Sequence, residues 1–280
     1  LRGDVLDTKK SLESKGYELE EISWVKNTYF VINRDKSAAS QTEEYDEGKY
    51  YIQNLSSIIA SLILDPKPKE KILDMCAAPG SKTTHIAQLT ENSADIIAND
   101  SDLGRTSDLQ KVLSQFGAKA RVTLSDAREF GTKYPVYFDK ILLDAPCSGE
   151  GMIYFKGSRP VRFWSMDKVK RSISIQRELI VSAFKALKHG KYMIYSTCTL
   201  EPEENEGILT YLLKEFPNAR IEKIDITKDI LEGNPELKDY IKPGIKKWSG
   251  NIYNPQVRNA IRIIPNKMMM GFFISKIFKE

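Results

Sequence analysis

The chain has 280 residues, 41% of them apolar and 29% charged, enough to bury a full-sized core and too apolar for wholesale disorder. Forty-two Lys and Arg against 38 Asp and Glu leave a formal charge of +4, too small to establish a nucleic-acid partner by itself. Three scattered cysteines exclude a disulfide scaffold, and with two histidines beside them no zinc spacing appears.

The longest apolar stretch, around residues 58–64, is far too short to span a bilayer, and no signal peptide opens the chain. Reduced thiols point to a cytoplasmic setting. The first residue is Leu1, so the numbering is compatible with a start inside a longer protein.

In chain order, residues 1–48 read as a small α/β segment, incomplete at its start. Val5 and Leu6 are expected to end a short strand, residues 11–15 to form a helix, and residues 24–32 to contain an aromatic and β-branched strand. The polar run 35–48 reads as a linker. Residues 50–64 are expected to form a helix leading into a main domain over 49–280, stopped by Asp65-Pro66-Lys67-Pro68.

From Lys71 the pattern becomes regular. Ile72-Leu73-Asp74-Met75 is a short buried strand, followed by a glycine turn and a helix through Leu89. Ile96-Ile97-Ala98 is a second strand ending in Asn99-Asp100, and Leu109, Val112, Leu113 and Phe116 then recur at helical spacing. Residues 121–124 and 141–143 make a third and fourth strand. A long helix turns Ile173, Ile180, Phe184 and Leu187 inward, residues 192–195 form a fifth strand, and 205–216 another helix. Residues 260–264 and 271–278 read as a closing antiparallel pair. The pattern predicts an α/β fold, a doubly wound, mostly parallel, Rossmann-like sheet of seven strands.

In such sheets ligands bind beyond the carboxyl ends of the strands. Three polar features fall there. The loop Asp74-Met75-Cys76-Ala77-Ala78-Pro79-Gly80-Ser81-Lys82-Thr83 has small side chains that let a ligand lie against the backbone, and the helix it enters offers free amides to a carboxylate. Asp100 is placed to accept bonds from two ribose hydroxyls, and Asp126 to receive an adenine amino group. The loop lacks the Gly-x-Gly-x-x-Gly of dinucleotide sites, and Gly80-Ser81-Lys82-Thr83 interrupts a Walker pattern. S-adenosylmethionine is left as the best fit.

Two cysteines follow the fourth and fifth strands, in Asp144-Ala145-Pro146-Cys147-Ser148-Gly149 and Ser196-Thr197-Cys198-Thr199. A lone cysteine is more often a small buried hydrophobe. Two at adjacent strand ends, on the rim of a cofactor site, point to thiol chemistry. Carbon 5 of a pyrimidine becomes nucleophilic only after a nucleophile adds to carbon 6, and a thiolate both adds and leaves well. An acid must neutralise charge at ring nitrogen 3; Asp144 is the candidate, kept protonated by burial or by a shared proton.

With these motifs the sequence resembles the Nol–Nop–Sun family of RNA cytosine-5 methyltransferases, the group that includes the bacterial RsmB and RsmF proteins. The resemblance covers nearly the whole chain. It is carried by residues 74–84, Asp100 with Arg105, Asp126, residues 144–151 and 196–206, and Gly271-Phe272-Phe273. It implies that Cys198 is the nucleophile and that Cys147 assists product release by helping to remove the carbon 5 proton. Asp144 and Lys82 would contact the flipped cytosine. Cys76, Ala77, Ala78, Pro79, Gly80, Ser81, Lys82, Asp100, Arg105, Asp126 and Asp144 would surround S-adenosylmethionine. The acids of 201–206 are expected only to favour the start of the next helix.

The family's N-terminal Arg-x-Asn-x-Leu-Lys strand is here Arg2-Gly3-Asp4-Val5-Leu6-Asp7, with two added acids, so departures fall on RNA contact rather than on chemistry. The partner expected is RNA, with no membrane and no metal, bound by a monomer. A stretch over 154–171 interleaves Phe155, Phe163 and Trp164 with Lys156, Arg159, Arg162 and Lys168, suited to stacking and phosphate contact. Eight Lys or Arg and no acid follow from Ile241 to Lys279. The compact form makes tRNA the first choice over ribosomal RNA, and a scaffolding role without catalysis the distant alternative.

Overall fold

The computed structural model describes residues 3–152, 164–225 and 235–280. The N-terminal segment contains α1 (Val5–Ser14), the hairpin β1 (Leu19–Glu21) with β2 (Tyr29–Val31), and two single-turn helices, α2 (Lys36–Ala39) and α3 (Glu43–Asp46). Two expectations are corrected here. Val5 and Leu6 open a helix rather than end a strand, because the Asp4 carboxylate takes the Leu6 and Asp7 amides as an N-cap. The supposed linker 35–48 is likewise ordered by caps, Asp35 on Ala38 and Thr42 on Tyr45. The segment packs against the main body of the chain. There the Gln115 side chain donates to Tyr45 O at 2.8 Å, and Phe116 meets Tyr45 and Tyr51 edge-on.

The main body comprises α4 (Leu55–Leu64), β3 (Lys71–Asp74), α5 (Ser81–Leu89), β4 (Asp95–Asp100), α6 (Leu103–Phe116), β5 (Arg121–Leu124), α7 (Phe130–Lys133), β6 (Phe138–Asp144), α8 (Met166–Ala186), β7 (Leu187–Thr197), α9 (Glu206–Glu215), β8 (Ala219–Glu222), β9 (Ile241–Pro243), the hairpin β10 (Lys247–Trp248) with β11 (Asn251–Ile252), β12 (Ile261–Ile263) and β13 (Phe272–Lys279). The helix expected from Tyr50 begins at Leu55 because Asn54 caps it.

Five parallel strands lie in the order β5-β4-β3-β6-β7, and β13 joins β7 antiparallel. The sheet has nine strands among the described residues, not seven: β8 pairs the C-terminal half of β13, while β12 and then β9 continue from its N-terminal half. Strand residues alternate between two cores. Leu73, Ile141, Leu143, Met193, Tyr195 and Phe273 face α8 and α9, and Ile72, Leu142, Ile194 and Ile274 face α4 and α5.

Two buried lysines close helix ends. Lys140 donates to Leu64 O at 3.0 Å below α4, and Lys279 to Phe184 O and Leu187 O at 2.8 and 2.7 Å below α8. Each places a cation where the helix leaves carbonyls unpaired. Strand order reverses between β3 and β6, and the crevice above this switch point is where an open α/β sheet receives its ligand.

Candidate active site

The loop after β3 is built to keep backbone exposed to a ligand. The Ala77 amide donates to Asn99 O at 2.7 Å and that of Gly80 to Ala77 O at 2.8 Å, closing a tight turn. Gly80 sits at φ 110°, and a Cβ there would lie 2.9 Å from Leu109 Cδ1 on α6. Only glycine fits both conditions. No side chain caps α5, so its first amides stay available to a carboxylate. The resulting cleft is lined by Asp74, Cys76, Ala77, Ala78, Pro79, Ser81, Lys82 and Asp144.

Asp100, at the end of β4, is buried with both carboxylate oxygens oriented: Oδ2 accepts from the Ala78 amide at 3.3 Å and Oδ1 from the Asp102 amide at 3.2 Å. Arg105 joins this acid to the loop, 3.2 Å from Asp100 Oδ2 and donating to Ala78 O at 2.8 Å. Asp126 does not line the cleft. Its carboxylate caps the turn over Ala127–Glu129 and is chelated by Arg128 at 2.6–3.0 Å. The exposed small-residue loop, the uncapped helix and the oriented Asp100 suit the amino-acid end and ribose of S-adenosylmethionine.

Asp74 lies beneath this loop. It accepts from Thr83 Oγ1 at 2.6 Å through one oxygen while the other has no partner, and burial pushes its carboxyl up to about 7. Burial also pushes the Cys76 thiol up, so Cys76 remains a thiol in the cleft wall.

Beyond the cleft, β6 and β7 end side by side. The Lys82 ammonium lies 2.6 Å from Asp144 Oδ2 and 5.5 Å from the centre of the Phe272 ring. Ser196 Oγ donates to Asp144 Oδ1 at 2.7 Å. Asp144 is thus an ion-pair partner rather than an isolated buried acid.

Cys147 and Cys198 approach to 3.2 Å between sulfurs, well beyond covalent S–S contact. The contact between the sulfurs lowers the Cys198 thiol and raises that of Cys147; burial and Asp144 push both up, Glu204 raises Cys147 further, and the Lys82 charge favours thiolate at Cys198. Of the two thiols, Cys198 is therefore the more readily ionised.

The loops bearing these thiols are bound to each other. Gly151 N donates to Cys198 O at 3.1 Å and Gly271 N to Gly151 O at 2.9 Å; a Cβ on Gly151 would lie 2.3 Å from Gly271 O. Ser148 Oγ and Thr199 Oγ1 are 3.0 Å apart, and Glu150 accepts from Thr199 Oγ1 and Leu200 N. The acids of 201–206 do more than favour the start of a helix. Glu204 is fully buried against the Cys147 loop, and Glu206 is fully buried against Arg262 at 2.7 and 2.8 Å. Their role escaped sequence reasoning because the partners are remote in the chain; the one local hint is several glutamates crowded directly after a candidate cysteine.

Of the expected RNA-contact stretch, residues 154–163 lie outside the described residues. Trp164 is half-buried, and Lys168, on the first turn of α8, donates to Ser148 O at 2.8 Å instead of facing solvent. Among the described residues no helix is long and apolar enough to cross a membrane.

A family described as 16S rRNA methyltransferase RsmB/F matches residues 61–278. The tRNA (cytosine(49)-C(5))-methyltransferase of Pyrococcus abyssi is 41% identical over 281 residues, covering 100% of this chain and 86% of that protein. Ribosomal RNA small subunit methyltransferase F of Pectobacterium carotovorum is 40% identical over 209 residues, 73% of this chain but 43% of the relative, so this chain spans under half of that protein. Among solved structures, a methyltransferase homolog from Pyrococcus horikoshii superposes with a TM-score of 0.81 at 33% identity, over 99% of this chain and 83% of the other. NSun6 from Pyrococcus horikoshii, solved with the S-adenosylmethionine analogue SFG, gives a TM-score of 0.67 at 32% identity, over 86% of this chain and 56% of that one.

Proposed function

We propose that this chain, which belongs to the RsmB/F methyltransferase family, methylates carbon 5 of a cytosine in tRNA. The observation that carries the chemistry is the pair of thiols 3.2 Å apart, beside Asp144 and Lys82 at the mouth of the cleft. S-adenosylmethionine, when bound, supplies an electrophilic methyl group. Asp100 and Arg105 would hold its ribose end, the loop Cys76–Ala77–Ala78–Pro79–Gly80–Ser81 its body, and the α5 amides its carboxylate.

The target base must leave its stack to reach a strand-end pocket. The Cys198 thiolate adds to carbon 6, and the Lys82–Asp144 pair donates to ring nitrogen 3, so that carbon 5 becomes the nucleophile. After methyl transfer carbon 5 carries both the methyl group and its proton. Cys147 assists removal of that proton; the carbon 6–sulfur bond then breaks, Cys198 leaves as thiolate, and ring nitrogen 3 returns its proton to the Lys82–Asp144 pair.

Support for tRNA over ribosomal RNA comes from coverage. The tRNA-modifying relative matches across the whole of this chain and most of its own length, whereas ribosomal RNA methyltransferase F carries more than half its length outside the match. Bisulfite sequencing of unmodified tRNA and rRNA incubated with protein and cofactor tests the reading. Conversion-resistant cytosines confined to tRNA are expected; methylation confined to rRNA would move the substrate without changing the reaction.

A further inference from the structure

The Cys147 loop has no regular structure of its own, yet its thiol is held 3.2 Å from that of Cys198. What fixes it is a two-residue clamp. Glu204, six residues after Cys198, accepts from the Ser148 amide at 3.0 Å through Oε2 and at 3.3 Å through Oε1. Gln176, on α8, donates its amide nitrogen both to Glu204 Oε2 at 2.8 Å and to Pro146 O at 2.9 Å. The residues on either side of Cys147 are thus gripped by one bonded pair of side chains, and both of those side chains are fully buried.

The orientation of Gln176 is dictated by this arrangement. Both groups facing its nitrogen are acceptors, so a flipped amide would set oxygen against oxygen. In the orientation adopted, Gln176 Oε1 is buried with no hydrogen-bond partner. A buried acceptor left unsatisfied is retained where the bonds gained on the other side matter more.

We propose that Glu204, acting with Gln176, is the positioning residue that sets Cys147 against Cys198 and thereby governs release of the methylated base. This rests on the division of labour between the two cysteines given above. The argument for release rather than attack is that the Cys198 backbone has anchors that do not pass through the Glu204 side chain. Its flanking Ser196 and Thr197 pair with Ile274 and Phe273 of β13, its carbonyl takes the Gly151 amide, and Thr197 Oγ1 donates to Asn205 Oδ1 at 2.7 Å. None of these bonds involves the Glu204 side chain. Through its backbone Glu204 accepts from Tyr195 OH at 2.6 Å and donates to Glu201 O at 3.2 Å, and side-chain replacement leaves both bonds in place.

The test uses full-length protein, methyl-labelled cofactor and unmodified tRNA, with E204A, E204Q, Q176A and, as reference, C147A. For E204A, single-turnover methyl transfer should stay within about threefold of the parent while steady-state turnover falls by roughly tenfold or more. A covalent protein–RNA band should accumulate on denaturing gels, as for C147A. E204Q keeps an acceptor for the Ser148 amide and should recover most of the turnover; Q176A should trap adduct more weakly. Thermal melting and cofactor calorimetry separate these outcomes from unfolding, and should E204A not fold, E204Q and Q176A decide by the same readouts. If folded E204A or Q176A lose transfer and turnover together without adduct, while C147A still traps it, the clamp is merely structural and the proposal is overturned. Absence of adduct in C147A would instead overturn the division of labour beneath it.

Discussion

The sulfur of Cys147 lies 3.2 Å from that of Cys198, although 51 residues separate them in the chain. Two thiols at that distance share a hydrogen bond, and the charges around them are unequal: Asp144 acts on both, Glu204 raises Cys147, and Lys82 favours the thiolate at Cys198. Cys198 is lowered from its ordinary value by its hydrogen bond with Cys147, so removing that partner should raise Cys198 back up. In C147A the thiolate fraction of Cys198 at neutral pH should fall, and its alkylation profile, followed by mass spectrometry, should shift to higher pH. An unchanged profile would show that Cys147 has no part in activating its neighbour.

Asp100 presents both oxygens from a buried, amide-bound carboxylate at the end of β4. A ribose held by such an acid makes charge-assisted bonds, each worth roughly 1.5–3 kcal/mol. Asp100→Ala should therefore weaken cofactor binding by at least about tenfold in a calorimetric titration. A folded variant with the parental affinity would remove Asp100 from the ribose site.

Asp74 supplies a pH signature. Burial raises its folded-state value from 3.8 to about 7, so between those limits the folded chain binds a proton that the unfolded chain releases. Its contribution to stability is complete below pH 3.8 and is lost as pH rises toward 7, with a slope of at most about 1.4 kcal/mol per pH unit. Asp74→Asn cannot ionise, so the difference in urea stability between variant and parent should grow from pH 5 to about pH 7 and then level off. Parallel stability profiles would mean that Asp74 ionises normally in the folded protein.

The central sheet was legible in the sequence because its inner strands β3, β4 and β6 are buried on both faces and read as short apolar runs. Arg121–Leu124 was expected with its observed bounds, and the ends of β3, β4, β6 and β7 brought Asp74, Asp100, Asp144 and Cys198 to one rim as strand order implied. Strands carrying charges beside few apolar residues were not legible. Ala219–Glu222 and Ile241–Pro243 exist because β13 and β12 offer them a ladder. At the N-terminus an apolar Val5-Leu6 pair suggested a strand, and the Asp4 cap decided for a helix. Within the site the residue types and their places could be read, but the clamp could not. Nothing local marks Glu204 as the partner of Ser148, 56 residues away.

The account turns on which sulfur attacks, and a denaturing gel of labelled tRNA with the two cysteine variants tests that most directly. Cys198→Ala leaves no thiolate to add to carbon 6, so it should neither methylate nor form an adduct. Cys147→Ala retains the attacking sulfur and the Lys82–Asp144 pair, so it should transfer the methyl group and then stall as a protein–RNA complex that depends on cofactor and on Cys198. The account predicts a cofactor-dependent band for Cys147→Ala and none for Cys198→Ala; a band trapped by Cys198→Ala and absent from Cys147→Ala would contradict it.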